Sequence, residues 1–154
     1  MKQITCFDRP SRRWIIAGAA SALVANAASA EEPASLSFGQ IYKSFGVRGY
    51  EFSDNARALA GKPIALAGYM APPLKVESPF FVLTREPLAI CPFCQSDADW
   101  PVDIVAVYLN RIAELLGGGI EVAVRGRLEI GSWTDPATGF VSQLRIVDAS
   151  FRRV

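Results

Sequence analysis

The chain has 154 residues, with 16 Lys and Arg against 15 Asp and Glu, three cysteines and no histidine. The net charge is +1 with both signs scattered, so the sequence offers no signal of a basic footprint for nucleic acid or an anionic membrane surface. The missing histidine excludes Ser-His-Asp and Cys-His catalysis and any imidazole-bound metal.

The first thirty residues differ from the rest. Lys2, Arg9, Arg12 and Arg13 give a basic start, Trp14 to Val24 form an apolar, alanine-rich run, and Ala28-Ser29-Ala30 offers small residues for cleavage. This is the layout of a secretory signal peptide, cleaved after Ala30 and set aside from the fold. The run is too short and too rich in Ala and Gly for a membrane span, and no later stretch is long enough to be one. Within it, "SRRWII" (Ser11–Ile16) resembles a twin-arginine export signal. A periplasmic location follows as the expectation, with no transmembrane segment in the remainder. Without residues 1–30, which hold four of the basic residues and Asp8, the chain carries 12 basic and 14 acidic residues, so its net charge is near −2. Cys6 is lost too, leaving Cys91 and Cys94 in a compartment where disulfides persist. The 124 residues from 31 to 154 suit one domain with a real core.

Residues 31–61 are expected to form a short helical extension. Ser37 is placed to cap a helix through Ser44, with Phe38, Ile41 and Tyr42 on one face, before Gly46 and Gly49 break the chain. A second short helix follows Ser53-Asp54 and stops at Gly61. From Lys62 the pattern turns to β. "KPIALAGYM" alternates Ile64, Leu66, Gly68 and Met70 against Ala65, Ala67 and Tyr69, giving a first strand. "PFFVLT" (79–84) is apolar throughout, as in a strand buried on both faces, and "VDIVAVYL" (102–109) is a third. "NRIAELLGGG" (110–119) sets Ile112, Leu115 and Leu116 at helical spacing before a glycine stop. A long strand at 120–131, a turn at "TDPATG" (134–139) and a last strand at 140–151 complete the chain. Three strands, a helix and two strands is the order of an OB-fold. The expected class is therefore mainly β with small α: a five-stranded OB-fold-like barrel over residues 62–154. Gly126 would kink its fourth strand. A small sandwich or another five-stranded meander is the competing arrangement.

The chemistry concentrates in "LAICPFCQSD" (88–97). A Cys-x-x-Cys pair supports three states, and spacing does not choose between them. As a redox dithiol, the first cysteine needs a lowered pKa, commonly from the N-terminus of a following helix. Only "QSDADW" separates Cys94 from Pro101, and β pattern follows. As a metal site, Cys91 and Cys94 supply two thiolates where structural zinc wants four ligands. Asp97, Asp99 and Asp103 lie near in sequence, and Met70 could add a thioether for copper(I), which accepts soft ligands at low coordination number. Two chains sharing one ion is a further arrangement. As a disulfide, the pair would close so short a loop that its entropic benefit is small and the bond readily reduced.

"GYMAPP" (68–73) reads either as a binding rim, with Tyr69, Phe93, Trp100 and Trp133 as exposed anchors, or as aromatic cover for the barrel ends. "GGGI" (117–120) lacks the Lys and Ser/Thr of a phosphate loop and reads as a tight entry to the next strand.

"LAGKPIALAGYMAPP", "FFVLT", "CPFC", "DIVAVYL" and "IEVAVRGRLEIG" together resemble a family of small, largely uncharacterised exported bacterial proteins. That family joins a "GYM-P" strand to a cysteine-bearing loop on an OB-like barrel. The resemblance covers about residues 53–151. It implies a periplasmic accessory role beside a transport system, some of them metal-linked, with zinc or copper as the metals to consider. It transfers no catalytic residue. The expected function is an exported binding or accessory protein rather than an enzyme, with Cys91 and Cys94 as metal or redox residues. A thiol–disulfide oxidoreductase and an interaction domain with an inert disulfide are the alternatives.

Overall fold

The computed structural model describes residues 32–46, 49–73, 75–87 and 100–154. Its described elements are eight strands, one 3-10 turn and one α-helix. The strands are β1 (Ala34–Leu36), β2 (Tyr42–Gly46), β3 (Gly49–Phe52), β4 (Pro63–Met70), β5 (Glu77–Thr84), β6 (Ile104–Glu114), β7 (Glu121–Thr134) and β8 (Val141–Arg153); α1 is Asp54–Leu59. The molecule is mainly β, with one six-stranded sheet and the separate hairpin β2–β3.

Local chemistry accounts for α1. Ser53, in extended backbone, accepts the Ala56 N–H at 3.0 Å through Oγ, and Asp54 places a carboxylate in the first turn. Gly61, at φ +79°, ends the helix and donates its N–H to the Leu128 carbonyl at 2.8 Å, tying this end to β7.

The rest of residues 32–61 departs from a helical extension. Ser37 does sit at a helix start, donating its N–H to Gln40 Oε1 at 3.1 Å, but the helix lasts one 3-10 turn, Phe38–Gln40. Tyr42 onward is β2, because pairing across the hairpin stacks Tyr42 on Phe52 at 5.1 Å and sets Tyr50 edge-on to both rings. β1 lies parallel to β4, Ala34 opposite Ile64 through Leu36 opposite Leu66, and Leu36 and Ile41 join the core.

β4 alternates as expected: Ile64, Leu66, Gly68 and Met70 are buried and Tyr69 is not. Five consecutive residues of β5, Phe80–Thr84, are buried. β4 pairs antiparallel with β7 along most of its length and with β5 at its end; β5 pairs with β6, β6 runs parallel to β8, and β8 pairs with β7. Among themselves these five strands each pair with two others, β4 pairing with β1 as well, and following the pairs from β4 leads back to β4.

The helix expected at 110–119 is absent. β6 continues to Glu114, with Ala113 opposite Ser78 and Glu114 opposite Glu77. Helical spacing did not prevail because Ile112 faces solvent while Leu115 turns into the core and donates its N–H to the Val76 carbonyl at 2.7 Å. Ladder bonds to β5 replace the intrahelical bonds, an example of tertiary context overriding local pattern.

Gly126 does mark a kink. Register slips between Arg125 and Arg127, where β8 carries one extra residue next to Asp148, φ +51°. A Cβ on Gly126 would meet Ile146 Cγ2 at 2.6 Å and the Val147 carbonyl oxygen at 2.7 Å, so only glycine lets the two strands approach this closely.

Candidate functional site

The site builds from the frame around residues 88–99. Where the chain enters, Thr84 is buried and shares its hydroxyl proton between the carbonyls of Glu86, at 2.7 Å, and Tyr69, at 3.1 Å. Arg85 donates its backbone N–H to the Asp103 carbonyl at 2.9 Å, and its side chain lies 3.6 Å from the Asp103 carboxylate. Where the chain returns, Trp100 is buried and donates its indole N–H to the Tyr42 hydroxyl at 3.0 Å. Both sides of the segment that carries the two cysteines are thus anchored, one to β4 and to Asp103 just before β6, the other to the β2–β3 hairpin.

Trp100 also opens an aromatic band. Phe140 lies 6.4 Å away, Phe80 5.1 Å from Phe140, Tyr108 4.9 Å from Phe80, and Trp133 5.2 Å from Tyr108 at nearly a right angle. The Arg145 guanidinium sits 5.1 Å over the Trp133 ring, a favourable cation–π arrangement. Burial pushes both phenols well above the ordinary tyrosine range. At Tyr42 the Trp100 hydrogen bond opposes the rise while Tyr50 and Asp103 add to it; at Tyr108 Asp135 adds and Arg145 opposes. The Tyr108 hydroxyl is buried with no hydrogen-bond partner among the described residues. Asp135, itself buried, is occupied with its own turn: Oδ1 accepts the Ala137 N–H at 2.9 Å and Oδ2 the Thr138 hydroxyl at 2.6 Å.

Cys91, Cys94, Phe93, Asp97 and Asp99 lie outside the described residues. Of the other sequence-derived candidates, Met70 has no exposed surface and packs in the core, its carbonyl accepting the Gly119 N–H at 2.8 Å. Trp100 and Trp133 belong to the one aromatic band, joined through Phe140, Phe80 and Tyr108. Tyr69 is on the outer side of β4, opposite Thr84 and Glu121, and is apart from those ring contacts. Asp103 is paired with Arg85. "GYMAPP" and "GGGI" prove to be partners: a Cβ on Gly118 would stand 2.7 Å from Pro72 Cγ, so the glycine turn is cut to fit the proline. Among the described residues no three Cys, Asp or Glu side chains converge as a metal site.

Sequence reasoning missed Tyr42, Tyr108, Phe140 and Arg145. A usable signal existed for the first: aromatics at 42, 45, 50 and 52 flank Gly46 and Gly49, the composition of a hairpin. The others meet only through pairing of distant strands.

No family model matches the chain, and neither does any curated protein. Among solved structures it is similar to a DUF3299 family protein from Pseudomonas aeruginosa PAO1, at 14% identity and a TM-score of 0.45, over 79% of this chain and 97% of that one.

Proposed function

We propose that this chain is an exported, periplasmic accessory protein in which strands β4–β8 form an OB-like barrel and the Cys91–Cys94 dithiol takes a soft metal ion, zinc or copper(I), on behalf of a transport-system partner. The observation that carries the reading is the anchoring on both sides of residues 88–99, by Thr84 and the Arg85–Asp103 contacts and by the Trp100–Tyr42 hydrogen bond. Fixing the flanking residues in advance lowers the ordering entropy that binding would otherwise cost. The ring of strand pairings supports the barrel, with the fourth and fifth strands returning to the first and third.

The redox reading is the alternative: it needs a lowered pKa at the first cysteine, commonly supplied by a helix N-terminus. A native mass spectrum of the protein, purified from the periplasm without oxygen, separates the readings. Bound metal lost in Cys91→Ser supports the accessory role, whether one chain or two hold the ion. A mass about 2 Da below the reduced chain, with no metal uptake by the reduced form, would replace it with a disulfide. The reduction potential would then tell an inert bond from an oxidoreductase.

A further inference from the structure

Parallel pairing of β6 with β8 ends at Leu109 opposite Ala149, and the strands part beyond it. Two adjoining depressions of about 210 Å³ each open there. Arg125 and Arg152 line one and Arg111 the other, and the two share Ser150 and Phe151. Arg125 lies directly across from Ser150, and Arg152 is two residues further along β8, so both fall on the outer face of one ribbon. All three arginines are exposed, and among the described residues none has a carboxylate within ion-pair distance. Arg127 and Arg145, on the same two strands, are both paired.

We propose that Arg111, Arg125 and Arg152, with the Ser150 hydroxyl, form a binding site for a phosphoryl-type oxyanion. A guanidinium presents parallel N–H donors that match two oxygens of one phosphate, which makes arginine better suited to this ligand than lysine. Three exposed cations around two hollows that share Ser150 and Phe151 set up a positive local field, to which a dianion would be drawn. Ser150 adds a neutral donor at the point common to both hollows. The site lies apart from the aromatic band and does not depend on the cysteines.

The test is a titration of inorganic phosphate into the isotope-labelled protein, at an ionic strength held constant with chloride. The expected result is a saturable shift of the Ser150, Arg125 and Arg152 amides, with affinity about tenfold weaker in Arg125→Gln or Arg152→Gln and unchanged in Arg127→Gln. A second arm measures flotation with phosphatidylglycerol vesicles. Saturation by phosphate alone identifies a free oxyanion; flotation that is lost in Arg125→Gln, without phosphate saturation, identifies a lipid headgroup. Both exposed positions are substituted separately, so misfolding of one variant leaves the other decisive. The proposal is overturned if chloride matches phosphate and vesicles do not bind, or if both arms are indifferent to both substitutions.

Discussion

On the two sides of Gly126 the β7–β8 ribbon carries arginines in contrasting settings. Beyond the kink, Arg127 bonds Glu129 and Asp148, while Arg145 donates to Glu129 Oε2 at 2.9 Å and to the Gly131 carbonyl at 2.8 Å and lies over Trp133. Before it, Arg125 and Arg152 face solvent beside a serine and an alanine. Hydrogen bonds and ion pairs hold the Arg127 guanidinium firmly protonated, above its ordinary range. The first half is a closed network serving stability. The second has arginines without an ion-pair partner among the described residues, and that contrast, rather than arginine content, is the basis of the proposed ligand site.

The largest effect is expected from closing the kink itself. Gly126→Val drives a side chain into Ile146 and the Val147 carbonyl, and should lower unfolding free energy by about 2–4 kcal/mol in urea denaturation. A loss under half that would mean β8 can withdraw and the kink does not set the register. Arg145→Ala, whose side chain is largely buried, removes the bonds to Glu129 and Gly131 and the cover on Trp133; the expected cost is about 2 kcal/mol, with Trp133 emission shifted.

The two raised phenols form a smaller pair of opposites. Tyr42→Phe leaves the buried Trp100 N–H without its acceptor and should cost about 1–2 kcal/mol, whereas Tyr108→Phe deletes a hydroxyl with no partner among the described residues and should be neutral or stabilising. Each phenol is held neutral in the fold, so the unfolded chain releases those protons first. Their contribution is complete below the unfolded value of about 10 and declines as pH rises above it. Alkaline unfolding should therefore be shallower in both variants, and unchanged profiles would show that these hydroxyls are hydrated.

The smallest effects test the comparison most directly. Arg127→Gln should lower the thermal midpoint in low salt, with the difference vanishing in high salt, because exposed ion pairs are screened. Arg125→Gln in phosphate-free low salt should move the midpoint slightly the other way, since it relieves repulsion. Shifts of the same sign would erase the distinction between the two halves.

What was legible in the sequence followed range of interaction. The helix after Ser53 was readable because its cap lies three residues from its partner N–H. The β4 alternation was readable because the core takes one face of a strand. Residues 110–119 were misread, since Ile112, Leu115 and Leu116 fit a helix equally well and only the ladder to β5 decides between them. The hairpin at 42–52 went unseen despite its flanking aromatics, because a serine cap at 37 offered a nearer explanation.

The sequence by itself determined the mainly β class, the five long strands, the helix after Ser53 and the placing of Cys91 and Cys94 in one short segment. Each of these rests on composition or on neighbours within a few residues. Tertiary structure alone decided that Trp100 meets Tyr42 across 58 positions, that Gly118 fits Pro72, and that Arg145, unlike Arg125, has an ion-pair partner among the described residues. Those outcomes depend on strand register, and a shift of one residue would turn every side chain to the opposite face.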